Sequence, residues 1–225
     1  MIIQNRHLEK ALNDLSSAYE SVPGEDHEYE DHSIALAIIE RVLADVLHTK
    51  PELLPLVNAT DIEPLDYRVK AHVGRILFVR AQLLYEMDEL DFAAQSARLS
   101  CQAFRETLSF EFEDEDRYAA NHLHQLMTRD VATVAFRPDE VGESYELLFD
   151  YYVEFELFDR AEDMLFHALE LRDRPHALLQ RGLAFYDDLA SRDTRVLQKR
   201  GLPRHEVNQG RREILAKIEE FKTHP

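Results

Sequence analysis

Apolar residues recur at helical spacing along almost the whole chain. Leu8, Leu12, Leu15 and Tyr19 share one face of a helix predicted over Ile2 to Glu20. In SVPGEDHEYEDH, Pro23, Gly24 and a cluster of carboxylates break the pattern and mark a solvated loop. Ser33 is suited to cap a second helix, Ile34 to His48. On it Ile34, Leu36, Ile38, Ile39, Val42, Leu43, Val46 and Leu47 cover nearly the whole circumference. A helix apolar on every side is expected to be buried on every side, which places this one at the centre of the N-terminal half. Pro51 and Pro55 bracket a short helical turn, and NATDIEPLD reads as a connector.

The same periodicity predicts a long helix from Leu65 to Met87, with Val69, Val73, Leu77, Ala81 and Leu84 inward. A second runs from Asp91 to Leu108 with Ala93, Ala97, Cys101, Phe104 and Leu108 inward. The acidic run Glu111 to Asp116 leads into a helix reaching Val134, since carboxylates favour the positive end of the helix dipole. Pro138 starts the next helix, striped by Val141, Tyr145, Leu148, Tyr152 and Phe155. A helix from Asp159 to Leu171 follows, then one begun by Asp173 and Pro175 and ending near Ala190, then a last helix from Arg204 to Lys222. Only VATVAF, Val131 to Phe136, has any strand character.

Two stretches echo each other, YEMDELDFAAQSARLSCQAF from Tyr85 and YVEFELFDRAEDMLFHALEL from Tyr152. Each has an aromatic near the end of one helix, a short acidic turn and an alanine early in the next helix. Ala93 and Ala161 occupy matching places 68 residues apart, twice the tetratricopeptide period of about 34. The pattern resembles tetratricopeptide repeats, in which large residues of one helix pack around small residues of the next. Tyr145, Leu148 and Tyr152 match the large positions, and Ala161, Leu165 and Ala168 the small, large and small ones. Phe149 stands where a small residue is expected, and Glu156 replaces the usual turn glycine. Ala81 and Ala93 keep the pattern in the first stretch, while Arg80, Ala97 and Ser100 depart from it. The stretch Phe158 to Leu171 is also similar to uncharacterised bacterial tetratricopeptide-like proteins, a likeness that carries no known activity.

Composition narrows the function classes. Only 6 Gly and 8 Pro in 225 residues argue for long helices with few turns. The formal charge of −18 repels nucleic-acid phosphates and anionic lipid and favours basic partners. The exception is the stretch from Ser191 onward, where Arg192, Arg195, Lys199, Arg200, Arg204, Arg211 and Arg212 outweigh the carboxylates. This basic tail is expected to fold back on the acidic body; contact with nucleic acid or an acidic regulator is the alternative. One cysteine, Cys101, allows no intramolecular disulfide, and its place on an apolar stripe makes it an inert core residue. With no apolar leader or membrane-length apolar stretch, the chain reads as cytoplasmic.

Candidate chemistry is sparse. His27 and His32 are five apart and do not share a helix face, His122 and His124 point to different sides of a helix, and no Glu-x-x-His pair occurs. No phosphate loop or nucleophile elbow is present. No catalytic, cofactor-binding or metal-ligating residue is therefore assigned, and no cofactor is expected.

The expectation is an all-α chain of antiparallel helix hairpins stacked as a tetratricopeptide-like right-handed α-solenoid. A repeat-like domain over 1–190 would hold an irregular helix pair at 1–60 and hairpins at 65–108 and 139–172. The basic helical tail, 191–225, would pack on it. The function expected of such stacked pairs is non-catalytic binding of a peptide or protein, basic by charge, on a concave face. Polar and aromatic residues of a first helix, Tyr145, Glu146, Tyr151 and Glu154, are the candidate contacts. A metal-dependent enzyme using His122, His124 and nearby carboxylates, nucleic-acid binding through the tail, and self-association through an exposed helix face are the competing readings.

Overall fold

The computed structural model describes residues 29–108, 113–172 and 175–223. Among them every regular element is helical, and none is a strand. The helix expected over Ile2 to Glu20 and the acidic loop with His27 lie outside the described residues, as does the start of the acidic run at Glu111. The chain divides into two compact units, Met1–Phe136 and Arg137–Pro225.

In the first unit, α1 (Tyr29–Val46) is followed by a 3-10 turn (Pro51–Leu56) and the short α2 (Ala59–Ile62). Then come α3 (Tyr67–Glu86), α4 (Leu90–Thr107), α5 (Glu113–Thr128) and α6 (Val131–Ala135). Helix α1 starts upstream of Ser33, which lies inside it and does not cap it. Helix α2 falls in the expected connector. Asn58 accepts from the Thr60 amide at 2.9 Å, and Asp61 accepts from the Asn58 amide at 2.9 Å, a capping box that nucleates the turn. Asp66 caps α3 by accepting from the Arg68 amide at 3.0 Å.

Helices α3 and α4 form an antiparallel hairpin around Val73, Leu77, Ala81 and Leu84 on one side and Ala93, Ala97 and Phe104 on the other, all buried. They pack tightly at Gly74, where a Cβ would lie 2.7 Å from the Phe104 ring. Beside it the Ser100 hydroxyl donates to the Gly74 carbonyl at 2.7 Å. Helix α1 lies against α3 through Ile39, Leu43 and Ala44. The three helices are joined by Arg80, only 4% exposed. Its guanidinium donates to Glu40 of α1 at 2.8 and 3.1 Å and to the Ser96 hydroxyl of α4 at 2.5 Å. The departure from the repeat pattern at Arg80 is thus a buried polar tie, complete only because all three groups converge.

The expected burial of α1 and the expected run of one helix to Val134 fail here, whereas the helical form of VATVAF agrees with the all-α expectation. Helix α1 is not buried on every side: Ile34 and Ile38 are 61% and 49% exposed. One face of it meets α3 and the 3-10 turn, and the described residues leave the opposite face to solvent. VATVAF is helical as α6, with Val131, Ala132 and Ala135 buried at helical spacing. The helix expected to run on to Val134 instead stops at Thr128. Hydroxyls on either side of the break, Thr128 onto the Gln125 carbonyl and Thr133 onto the Asp130 carbonyl, compete with the helical ladder.

In the second unit, α7 (Pro138–Glu154) and α8 (Phe158–Leu171) pair antiparallel, followed by α9 (His176–Ser191), α10 (Thr194–Lys199) and α11 (Arg204–Thr223). Tyr145, Leu148 and Tyr152 of α7 and Ala161, Leu165 and Ala168 of α8 are all buried. Helix α11 packs along α9, and a Cβ on Gly210 would collide with the Tyr186 hydroxyl. Gly182 opens room for Leu165 and Ile214, which a Cβ would meet at 3.0 and 3.3 Å. Leu197, Leu202, Val207, Ile214 and Ile218 of the basic tail are buried in this unit.

The two hairpins close identically. Asp88 (φ 63°) and Glu156 (φ 54°) occupy the left-handed region. In each turn the next amide reaches back five residues, Glu89 to the Leu84 carbonyl and Leu157 to the Tyr152 carbonyl, both at 2.8 Å. This is a Schellman closure with a side-chain-bearing residue where glycine is cheapest. His48 (φ 51°) ends α1 the same way, the Thr49 amide reaching the Ala44 carbonyl at 2.9 Å.

Two substitutions test this account by urea unfolding. Gly74→Ala should lower stability by about 1–3 kcal/mol, since Phe104 has no room to withdraw. Asp88→Gly, at an exposed turn, should raise it by about 0.5 kcal/mol by removing the left-handed penalty. Equal midpoints for the first variant and the parent would mean the hairpin does not depend on this close approach.

Candidate functional site

The residues expected to meet a partner lie on α7, and the helix sorts them by side. Tyr145 and Tyr151 are 6% and 1% exposed. The Tyr145 ring lies 5.2 Å from His167, and the Tyr151 ring packs 4.7 Å from Phe155 and 5.3 Å from Tyr152. Glu154 is exposed and Glu146 partly so. Three residues before Glu146 stands Glu143 and four after it Asp150, so the three carboxylates form one row along the helix.

Two arginines cross-link that row. Arg172, at the end of α8, reaches Glu146 at 3.0 Å and Glu143 at 3.5 Å. Arg181 of α9 reaches Glu146 at 3.1 Å, bonds Asp150, and lies 5.5 Å over the Phe149 ring. A Cβ on Gly142 would come within 3.0 Å of the Arg172 stem, so the glycine leaves the arginine its path along α7. Two guanidiniums thus bridge neighbouring carboxylates of the row, Arg172 between Glu143 and Glu146 and Arg181 between Glu146 and Asp150. Such a row can exchange an internal arginine for an incoming basic side chain at little cost, because exposed ion pairs contribute little to stability. Glu143 and Asp150 were legible as an i, i+3, i+7 row around Glu146; Arg172 and Arg181 come from other helices, and no local pattern points to them.

His122 and His124 fall on different sides of α5, and the structure does not bring them together. The His122 ring packs 4.3 Å from Tyr118 and 5.7 Å from Phe104, and His72 lies 5.7 Å from Tyr118. His122 Nδ1 is 2.9 Å from the Tyr118 carbonyl, which can only accept, so Nδ1 carries the proton. Burial pushes the His122 pKa below its ordinary value, opposed by that carbonyl and reinforced by the charges of Arg75 and His72. The ring is therefore held neutral as a packing element. Cys101 is buried on α4. Among the described residues no group of three or more His, Cys, Asp or Glu side chains could hold a metal ion. No helix among them is long and apolar enough to cross a membrane.

The basic tail is bound up with carboxylates and carbonyls of its own unit. Glu156 at the α7–α8 turn accepts from Arg192 at 2.7 Å and Arg200 at 2.8 Å, and these bonds hold its carboxyl below the usual range. Arg192 also reaches Asp188 at 2.9 Å and lies 4.9 Å over the Phe158 ring. Arg211 reaches Asp187 at 2.6 Å, and Arg204 donates to the Ala190 carbonyl at 2.5 Å. Deeper in the unit, the Tyr186 hydroxyl donates to Glu162 at 2.5 Å. Burial, reinforced by Glu206, Asp163 and Glu213, raises the Glu162 pKa against that bond. A cleft of about 280 Å³ opens between Leu169, Pro175, Leu179, Lys217, Glu220 and Phe221.

The molecule so described is an all-helical protein of antiparallel hairpins, with a carboxylate row on α7. It belongs to the family of unknown function DUF6483, whose model matches residues 38–219. No curated protein and no solved structure matches the chain.

The lowered pKa of His122 sets a pH dependence. The unfolded state binds a proton near the ordinary value of about 6.5, and the folded state only at lower pH. This contribution to stability is complete above about pH 6.5 and is lost as pH falls from there towards the folded value. Urea unfolding of the parent and of His122→Phe, between pH 7.5 and 5.5, should give a flatter dependence for the variant. Parallel curves would show that the ring titrates in the folded protein as freely as in the unfolded chain.

Proposed function

We propose that this chain is a non-catalytic protein-interaction or scaffold module. Its hairpins stack in the manner of a tetratricopeptide α-solenoid and offer a concave helical face to a peptide or protein. One observation carries the reading. The left-handed turn residues Asp88 and Glu156 are 68 residues apart, the same offset as the buried alanines Ala93 and Ala161. Both the turn geometry and the small positions of the second helix thus repeat at twice the tetratricopeptide period.

The partner chemistry follows from charge. A net −18 favours a basic partner and raises its association rate. Glu146 and Glu154, with Glu143 and Asp150 beside them, supply the acceptors. Tyr145 and Tyr151 act from beneath the surface by fixing the helix that carries them. A lysine- or arginine-bearing segment would pair with the row as Arg172 and Arg181 do now.

The test is a peptide array of matched basic, neutral and acidic sequences probed with the full chain. Basic peptides should be retained selectively and lost as salt rises from about 50 to 500 mM. For a retained peptide, the Glu146→Gln and Glu154→Gln variants should each bind about 2–5-fold more weakly, with Glu219→Gln as an unaffected control. Retention of no peptide, or equal retention of acidic and basic ones, would sink the proposal.

A further inference from the structure

Among the described residues, every large apolar side chain left exposed lies in the first unit, except Val196. Hydrogen bonds hold one group of them in place. Residues three apart share a side of a 3-10 turn. In the turn Pro51–Leu56, Leu53 and Leu56 are exposed, while Leu54 and Val57, also three apart, are buried. The Gln95 side chain of α4 donates to the Pro55 carbonyl at 2.9 Å and to the Val57 carbonyl at 3.1 Å, which sets the Leu56 backbone against α4. Phe92, three residues before Gln95, is its neighbour on the surface of α4. The Phe92 carbonyl accepts from the Ser96 hydroxyl at 2.8 Å, and Ser96 in turn receives Arg80. Leu56 is 71% exposed, Leu53 45% and Phe92 41%. Single exposed apolar residues need no explanation, but several fixed beside one another and rimmed by charge mark an interaction surface.

The rim is acidic. Asp88, Glu89 and Asp91 stand four, three and one residue before Phe92, and Glu52 adjoins Leu53; all four are exposed. Lys50, before the turn, is the nearest cation in sequence to Leu53. Arg98, further along α4, directs its guanidinium to the Ala135 carbonyl at 2.8 Å. The surface therefore selects on two counts, an apolar side chain to cover Leu53, Leu56 and Phe92 and a cation to meet the carboxylates. A second copy of this chain fits poorly, because two-fold pairing would set the same carboxylates against each other.

We propose that Leu53, Leu56 and Phe92 form a docking surface for a basic amphipathic helix of another protein. The apolar stripe of that helix covers the three side chains, and its lysines or arginines pair with Glu52, Asp88, Glu89 and Asp91. Recognition of this kind works through apolar anchors at i, i+3 or i+4 spacing, with flanking charge setting the partner and its orientation. The bonds of Gln95 and Ser96 hold the turn and the start of α4 in place beforehand, so docking orders little of this chain. The surface belongs to the first unit alone and does not rest on the carboxylate row of α7.

An environment-sensitive fluorophore on Leu53→Cys of the full chain tests it, since native Cys101 is buried. The probe is a Leu/Lys peptide of about 14 residues, long enough for some four helical turns with leucines on one face. Its controls are a scrambled Leu/Lys peptide and the Leu/Glu counterpart. Titration with the amphipathic Leu/Lys peptide should shift the emission to the blue, while the same label on Val196→Cys in the other unit stays unchanged. Leu56→Ser or Phe92→Ser, both at exposed positions, should each weaken this binding at least about five-fold. Glu146→Gln on α7 should leave it unaltered. An equal shift with the scrambled or Leu/Glu peptide, or undiminished affinity in both serine variants, would overturn the proposal. So would a shift that grows with protein concentration in the absence of peptide, which puts a second copy on the surface. A titration sensitive to Glu146→Gln and not to Leu56→Ser would assign the basic peptide to α7 alone.

Discussion

Several helix pairs in this protein meet at a glycine, where one helix has no side chain to hold the other away. Gly74 admits the Phe104 ring, Gly182 admits Leu165 and Ile214, and Gly210 admits the Tyr186 hydroxyl. Interiors are packed as densely as organic crystals, so a ring that fits against bare backbone cannot shift without leaving a void elsewhere. Each close approach therefore fixes which residues face each other along the pair. At the α3–α4 pair the consequences extend outward. With Phe104 seated on Gly74, Ser100 reaches the Gly74 carbonyl, Ser96 lies within reach of Arg80, and Arg80 meets Glu40 of α1.

The acidic composition and the preference for arginine over lysine have a common physical use. Carboxylates crowd the surface, and among the described residues several long-range ties between helices are guanidiniums that meet more than one acceptor. Arg80 joins α1 and α4, Arg172 spans Glu143 and Glu146, Arg181 spans Glu146 and Asp150, and Arg192 spans Asp188 and Glu156. A planar fork with five donors makes such bridges with defined geometry, whereas an ammonium acts as a single point of charge. Glu156 shows how closely the charge pattern and the backbone are joined. The residue that bears the left-handed turn also receives Arg192 and Arg200, so a turn position that glycine would occupy more cheaply carries a side chain with work to do.

The candidate surface was partly legible. Of the candidate contacts, Glu154 is exposed and Glu146 partly so, and Glu143 and Asp150 extend the same row by helical spacing. Tyr145 and Tyr151 illustrate why aromatic residues on an amphipathic helix are ambiguous in sequence. Tyrosine combines an apolar body with a polar tip, and only the neighbouring rings of His167, Tyr152 and Phe155 show that these two are core. Likewise, nothing local to His122 announces that its ring is enclosed by Phe104 of another helix and Tyr118 of the turn before.

Helix positions, hairpin turns and the small-large pattern of α3, α4, α7 and α8 follow from the amino-acid sequence alone, because they depend on spacing along one helix and on residues adjacent to a turn. Whether an apolar face is covered depends on what lies across from it. Ile34 and Ile38 therefore look like core residues in the sequence and are exposed in the fold, while the polar Arg80 looks misplaced and is buried. VATVAF takes its helical form from the burial of Val131, Ala132 and Ala135, a decision made by neighbouring helices and not by the β-branched residues themselves. Tertiary contacts decide these cases because burial and charge pairing join groups some 15 to 45 residues apart, as in Arg80 with Ser96 and Arg200 with Glu156, beyond the reach of any local pattern.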